Sequence, residues 1–142
     1  MLEIGNMVFL TRRERFSAAH KLFRTEWSEA QNLSVFGQCA NPNWHGHNYE
    51  LFVTVKSEVD PETGYGVNLK LLSQVIKKWI IDELDHRNLN LDVGFLSGKL
   101  TTTEVVAIAI FERLKQPITE LGCHIHGVKL VETENNYVEY FG

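Results

Sequence analysis

Apolar and polar residues alternate along four stretches of the chain, and this alternation predicts four β-strands. It is clearest over 45–57, where Tyr49, Leu51, Val53 and Val55 share one parity. Side chains two residues apart on a strand point to the same face, so this strand should bury one face in a core. The other predicted strands are 8–18, with a charged centre, and 124–133 and 136–141, which are joined by a turn at 134–136.

Two segments between the strands have helical periodicity. Apolar residues over 69–84 recur three and four positions apart, behind a potential N-cap at Asn68. A second helix is expected from the Thr-Thr-Thr-Glu run at 101–104 to about Lys115, with Pro117 marking its exit. The intervening segments 21–38 and 85–100 look irregular, apart from a helical turn near 28–31. The order ββααββ favours an α+β fold with an antiparallel sheet.

Composition narrows the function classes. The chain has 142 residues, 44% of them hydrophobic and 23% charged, and no linker, which indicates one domain over 1–142. A net charge of −4 argues against a nucleic-acid-binding protein. No apolar run approaches the roughly 20 residues that span a bilayer, so no membrane contact is expected. The N-terminus does not resemble a secretory signal, so we expect a cytoplasmic protein whose two cysteines are thiols.

Three histidines are candidate metal ligands. His45 and His47 begin the clearest predicted strand and share its apolar face. His20 ends the first predicted strand, on the parity of Phe16 and Ala18. Imidazoles that point inward need a shared partner, and a metal ion with three protein ligands keeps an open position, as in catalytic zinc sites. The alternative is that His45 and His47 are partly exposed strand histidines.

Cys39 and the pair Asp85–His86 are candidates for proton transfer. Cys39 lies in a polar, turn-rich segment six residues before His45, where a thiol could act as base or nucleophile. The alternative is an inert loop thiol. Asp85 follows the first predicted helix and could orient the His86 imidazole in a relay. On spacing alone, the simpler interpretation is that both are polar residues at a helix end.

Two further features are less specific. Glu132 shares the parity of Val128 and Leu130, so its carboxylate either pairs with polar groups, such as the N–H donors of a planar heterocycle, or points to water at a sheet edge. His124 and His126 share this parity too and follow Cys123. They have no obvious third ligand, so we interpret them as structural strand histidines.

Taken together, these motifs resemble the 6-pyruvoyl-tetrahydropterin synthase family. The resemblance implies the tunnelling fold, in which each subunit has a four-stranded antiparallel sheet with two helices on one side. Three subunits then close a twelve-stranded barrel, and two trimers form a homohexamer. The matching motifs, in the family's order and spacing between Phe9 and Gly142, are Phe16-Ser-Ala-Ala-His20, Cys39 before His45-Gly-His47-Asn-Tyr49, Leu84-Asp-His-Arg-Asn-Leu89, Thr102-Thr103-Glu104 and Glu132-Thr133.

The resemblance also implies a substrate and a metal. The substrate would be the small molecule 7,8-dihydroneopterin triphosphate, from which triphosphate is eliminated. His20, His45 and His47 would bind Zn²⁺, which would acidify the carbinol protons of the substrate. The substrate side chain would supply the reducing equivalents for the ring, so no nicotinamide cofactor is expected.

The remaining roles follow from the same resemblance. Cys39 as thiolate would take the proton, and Asp85 with His86 would tune or relay it. The pterin ring would be anchored by Glu132, with Thr102, Thr103 and Glu104 beside it.

Two departures and two alternatives accompany this assignment. Trp44 stands where a small residue is common in the animal enzymes, and Thr101 replaces a usual Ser. Neither change removes a group that the mechanism needs. One alternative is 6-carboxytetrahydropterin synthase of queuosine biosynthesis, which takes the same substrate but also expels acetaldehyde; the spacing from Cys39 to His45 favours the pyruvoyl enzyme. The other is a non-catalytic pterin-binding module, against which the intact Cys39, Asp85 and His86 argue.

Overall fold

The computed structural model describes residues 6–142 as three helices and a five-stranded sheet. Helix α2 runs continuously from Leu69–Ile76 through a π-helical segment, Lys77–Ile81, to Asp82–Leu84. Short 3₁₀ turns lie at Gly37–Ala40 and Gly94–Leu96. The other elements are β1 (Met7–His20), α1 (Glu29–Phe36), β2 (His45–Glu58), β3 (Arg87–Asn88), α3 (Thr103–Thr119), β4 (His124–Thr133) and β5 (Asn136–Tyr140).

The strand order in the sheet is β3-β1-β2-β4-β5. The long strands β1 and β2 pair antiparallel without a register shift, from Met7 opposite Glu58 to His20 opposite His45. Strands β4 and β5 extend the antiparallel part, and β3 pairs parallel with β1 at Ala18 and Ala19. This register places the ends of β1 and β2 that carry histidines side by side.

The α+β class is confirmed, but the expected four-stranded antiparallel sheet with two helices is wrong in two respects. Arg87–Asn88, within the segment interpreted as loop, adds a fifth strand and makes the sheet mixed. This strand is too short and polar to show periodicity. It is held by long-range hydrogen bonds, from the amide of His86 to the carbonyl of Ser17 and from the amide of Leu89 to that of Ala19.

The third helix, α1, lies in the segment expected to be irregular except for one turn. Ser28 caps it by accepting a hydrogen bond from the amide of Gln31. Its anchor is the buried Asn32, whose amide group bonds both the backbone amide and the carbonyl of Arg24. This helix is fixed to the fold by a polar side chain and not by an apolar stripe. The hydrophobic periodicity that predicts a helix is therefore absent from its sequence.

Helix α3 is longer than expected, because it continues past Lys115 and includes Pro117. A proline inside a helix removes one backbone hydrogen bond. Here Pro117 and the neighbouring Ile118 are both buried, and this burial offsets the lost bond.

One face of the sheet packs against α2 and α3 and forms the core. Within residues 6–142, none of the helices is both long and apolar enough to cross a membrane. The core side chains are Phe16, Tyr49, Leu51, Val53, Val55, Val128 and Leu130 from the strands, and Leu72, Ile76, Ile80, Val106, Ile110 and Leu114 from the helices.

Candidate functional site

Three imidazoles converge where β1 ends and β2 begins. His20 lies directly opposite His45, and His47 lies opposite Ala18, so strand alternation points all three rings to the core side of the sheet. The ring centroids of His20 and His45 are 4.4 Å apart, and His47 lies 5.1 Å and 5.0 Å from them. One nitrogen from each ring lies within 4.8 Å of the others. In the described part of the chain, no other group of three such side chains could share an ion.

The environment of the three rings favours neutral imidazoles. His20 is 1% exposed, and burial lowers the pKa of His20. Burial, followed by the proximity of His47, also lowers the pKa of His45. The ring nitrogens that face inward have no hydrogen-bond partner: Nε2 of His20, both nitrogens of His45 and Nε2 of His47. Buried polar atoms without partners are costly, and neutral imidazoles are good metal ligands, so this set fits a metal ion.

The orientation of His20 is fixed from behind. Its Nδ1–H donates a hydrogen bond of 2.7 Å to the backbone carbonyl of Thr101, which leaves the Nε2 lone pair free to face the other rings. The Thr101 hydroxyl in turn donates to Oδ1 of Asn90, at 3.1 Å. Asn90 also bonds both backbone polar groups of Lys21, the residue after His20.

We call this set of residues, Lys21, Asn90 and Thr101, the His20 support. The sequence interpretation missed Asn90, because it lies in the segment 85–100 that has no periodicity. No local signal could have identified it.

Glu132 lies on the same face as the histidines. Its Oε1 is 3.8 Å from Nε2 of His47, and its Oε2 accepts a hydrogen bond from the Thr103 hydroxyl. Of the two alternatives for this carboxylate, the structure therefore shows the one in which it pairs inside the fold. Thr102 caps α3 by accepting from the amide of Val105, whereas the side chain of Glu104 is exposed to solvent.

Tyr49 is a site residue that the sequence pattern does not identify. In the alternation of β2 it counts only as an apolar core position, without regard to its hydroxyl. Its ring stacks on Phe16 at 4.8 Å and lies 5.6 Å from the His47 ring. The buried hydroxyl has no hydrogen-bond partner. Burial chiefly, and then the charges of Glu132 and Cys39, raise the pKa of Tyr49, so the hydroxyl keeps its proton and can donate to a ligand.

Cys39 lies in the 3₁₀ turn between α1 and β2 with a half-buried thiol. Its backbone carbonyl accepts a hydrogen bond of 2.8 Å from Leu22, two residues after His20. This bond ties the turn to the end of β1.

The Asp85–His86 pair forms, but away from the histidine cluster. Oδ2 of Asp85 is 3.0 Å from Nδ1 of His86, and its Oδ1 accepts from the amide of Ser17. The hydrogen bond from Ser17, and then His86, lower the pKa of Asp85. The His86 side chain is 84% exposed and lines a cavity with Ser17 and Asn48. Those two side chains point to the outer face of the sheet, opposite the three imidazoles.

His124 and His126 take no part in this site, as expected, although their predicted parity is wrong. A β-bulge in β4 pairs Ile125 with Val55 and Gly127 with Thr54, which leaves His126 as the additional residue. The bulge reverses the parity, so both histidines are exposed and Ile125 packs on the core. The His126 ring lies 4.5 Å from that of Phe9.

Comparisons with known proteins find similar enzymes and a similar fold. The family model described as 6-pyruvoyl tetrahydropterin synthase matches residues 9–142. A 6-pyruvoyl tetrahydrobiopterin synthase of Homo sapiens is 44% identical over 133 residues, covering 94% of this chain and 90% of that protein. The enzyme of that name from Dictyostelium discoideum is 41% identical over 139 residues, covering 98% and 99%. The structure of Caenorhabditis elegans 6-pyruvoyl tetrahydropterin synthase matches with a TM-score of 0.91 at 38% identity, covering 99% of both chains.

Proposed function

The chain belongs to the 6-pyruvoyl tetrahydropterin synthase family, and from this membership we propose that it converts 7,8-dihydroneopterin triphosphate into 6-pyruvoyl-tetrahydropterin and triphosphate. The enzyme is a lyase acting as one pterin-synthase domain over 1–142. The observation that carries the proposal is the convergence of His20, His45 and His47 beside a carboxylate on the same face. The 6-carboxytetrahydropterin alternative is less favoured, because the relatives at 41% and 44% identity carry the pyruvoyl name.

The three histidines would hold Zn²⁺. When bound, Zn²⁺ supplies a Lewis acid for the side-chain hydroxyls of the substrate. Three nitrogen ligands leave a position open for the substrate, which is typical of catalytic zinc. The Thr101 carbonyl keeps His20 in the tautomer whose Nε2 is available, so the support residues prepare the site before the substrate arrives.

Glu132 and Thr103 would receive the pterin ring. The ring presents N–H donors along one edge, and a carboxylate can accept two of them. The Thr103 hydroxyl holds one oxygen of Glu132 in position, while the Tyr49 hydroxyl is a free donor on the same face. Thr102 and Glu104, at the start of α3, would lie beside the ring.

Cys39 would take the proton from the substrate side chain. Two side-chain carbinols of the substrate are oxidised to ketones, and each gives up one electron pair. One pair reduces the pterin ring, and the other reduces the carbon that carried the triphosphate, which becomes a methyl group. The triphosphate leaves with the electron pair of its bond to that carbon, so no external oxidant or reductant is needed.

The Asp85–His86 pair would act at the site of a neighbouring chain, since in its own chain the sheet separates the pair from the imidazoles. A trimer-based barrel, with two trimers stacked as a homohexamer, brings neighbouring chains together in this way. The exposed side chains of Phe9, Tyr137 and Phe141 also need cover. Closing the barrel would remove the exposed edges of the sheet. Light scattering should report a multiple of three 16.3 kDa chains, and a monomer at micromolar concentration would contradict this assembly.

Product analysis tests the proposed activity. The purified protein with one equivalent of zinc is incubated with 7,8-dihydroneopterin triphosphate, and products are identified by mass spectrometry. We expect 6-pyruvoyl-tetrahydropterin and free triphosphate. Release of acetaldehyde with a 6-carboxy product would favour the other enzyme, and binding without turnover would favour the pterin-binding module.

A further inference from the structure

The residues next to two of the metal-site histidines form a small cationic cluster. Lys21 follows His20, Trp44 precedes His45, and these two histidines are opposite each other in the sheet. The Nζ of Lys21 lies 4.7 Å from the centre of the Phe23 ring and 5.7 Å from that of Trp44. An ammonium group within about 6 Å of aromatic faces is held by cation–π attraction. We name Lys21, Phe23 and Trp44 the Lys21 cluster.

The charge in this cluster is available to a ligand. No ion pair in the described part of the chain involves Lys21. The neighbouring Arg24, in contrast, has its Nε 2.7 Å from a carboxylate oxygen of Glu26. The backbone of Lys21 is fixed at both polar groups by Asn90, so the side chain starts from a fixed position.

Trp44 has a strained backbone conformation, and this conformation places its ring beside the Lys21 ammonium. Its φ is +64°, in the left-handed region that a bulky side chain rarely adopts. The residue is held there by a hydrogen bond from its amide to the carbonyl of Asn41. Strain of this kind persists where the surrounding structure enforces it, often at ligand clamps.

The position of the cluster matches one end of the proposed substrate. Val131 pairs with Glu50, so Glu132 lies at the level of Tyr49, and the residues that follow along β2 toward its start are His47, His45 and Trp44. The substrate is linear, with its ring, its side-chain carbinols and its triphosphate in that order. With the ring at Glu132 and the carbinols at the histidines, the triphosphate extends beyond His45 toward the Lys21 cluster. Lys21 lines a cavity of about 380 Å³ with Phe23, Arg24, Glu29 and Ala40, the residue after Cys39.

We propose that Lys21, held between the rings of Phe23 and Trp44, binds the triphosphate of the substrate and stabilises its charge as it leaves. This inference rests on the proposed function, because that function supplies the substrate whose tail the cluster receives. A compact ammonium is a common partner of phosphate oxygens.

The test compares two ligands that differ only in the triphosphate: 7,8-dihydroneopterin triphosphate and 7,8-dihydroneopterin. The dissociation constants of both are measured on zinc-loaded Cys39→Ala, which lacks the proposed base and so binds without turnover, and on the same variant carrying Lys21→Gln. Loss of a charge-assisted hydrogen bond should weaken binding of the triphosphate ligand about tenfold. Binding of 7,8-dihydroneopterin should change less than twofold. Lys21→Arg should retain most of the affinity, and Lys70→Gln, an exposed lysine on α2, is the matched control.

Two results would overturn the proposal. If Lys21→Gln weakens both ligands equally, the residue acts on the metal site through its neighbour His20. If Lys99→Gln, in the adjacent loop, gives the selective loss and Lys21→Gln does not, the triphosphate lies elsewhere. Zinc content and thermal midpoint are measured for each variant, to show that it is folded and loaded. Failure of the proposed function is a separate outcome: the wild-type protein would form no product, yet Lys21→Gln would still bind the two ligands differently.

Discussion

Replacing Asn90 by alanine should weaken both the fold and the metal site. One side chain serves three polar groups: its Oδ1 accepts from the Lys21 amide at 3.0 Å and from the Thr101 hydroxyl at 3.1 Å, and its Nδ2 donates to the Lys21 carbonyl at 2.9 Å. A hydrogen bond contributes about 1 kcal/mol net, so the three bonds are worth about 3 kcal/mol. Asn90 is only partly buried, and water can replace some of these bonds. We therefore expect the free energy of unfolding to fall by about 2 kcal/mol.

The effect on the metal follows from the position of Thr101. Its carbonyl holds Nδ1 of His20, and its hydroxyl is held by Asn90, so loss of Asn90 loosens the ligand through one intermediate. Changes in groups that orient a metal ligand typically weaken metal binding 10- to 100-fold. Since the carbonyl contact itself remains, we expect about a tenfold weaker zinc affinity.

Two measurements on Asn90→Ala check these values. Urea denaturation of the metal-free protein at fixed concentration gives the change in unfolding free energy, and competition with a chromophoric chelator gives the zinc dissociation constant. The matched control is Asn135→Ala, in the exposed turn between β4 and β5, which should change neither. Reduced stability with unaltered zinc affinity would refute the argument that Asn90 positions His20.

Three further predictions concern the proton acceptor, the strained backbone and pH. Cys39→Ala should lower kcat by about 10²–10⁴ with zinc content unchanged, measured by steady-state kinetics and metal analysis, while Cys123→Ala stays near normal; full turnover without the Cys39 thiol would place the base elsewhere. Trp44→Gly should raise the unfolding free energy of the metal-free protein by about 1 kcal/mol, because glycine adopts positive φ without strain; a lower value would show that packing of the ring outweighs the strain. The pKa values of His20 and His45 are lowered in the folded chain, so below about pH 6.5 the unfolded chain binds more protons than the folded chain does. The metal-free protein should therefore keep its free energy of unfolding above about pH 7 and lose it as the pH falls below 6.5. Equal unfolding free energies at pH 7.5 and 5.5 would contradict this assignment.

The arrangement of the histidines could be predicted from sequence because strand periodicity carries it. Parity alone places His45 and His47 on the face of Tyr49, and His20 on that of Phe16. A continuous register between β1 and β2 then brings the two sets together, with His20 directly opposite His45. The family resemblance supplied the expectation that all three histidines bind one ion, which parity does not contain.

The features that sequence reasoning missed depend on tertiary contacts or on a break in periodicity. Helix α1 is fixed by the side chain of Asn32, and β3 by hydrogen bonds to Ser17 and Ala19. The additional residue at His126 reverses the parity of β4, and Gly127 beside it is the residue type that often marks such a bulge. Asn90 shows the same limit within the site, because its role exists only once β1 and the loop before α3 are in contact.

The core residues and the site histidines lie on the same face of β1 and β2, and the histidines lower the stability of the metal-free chain. Phe16 and Tyr49 stack within the core, and the next positions on the same face of each strand lead to His20 and His47. There the apolar contacts are replaced by buried nitrogens without partners, each of which costs stability in the metal-free chain. An ion that binds the folded chain but not the unfolded chain recovers this cost. The free energy by which the ion stabilises the fold grows with the ratio of its concentration to its dissociation constant. The metal should therefore raise the stability of the protein most at the ends of β1 and β2, while the apolar part of the sheet keeps the chain folded without it.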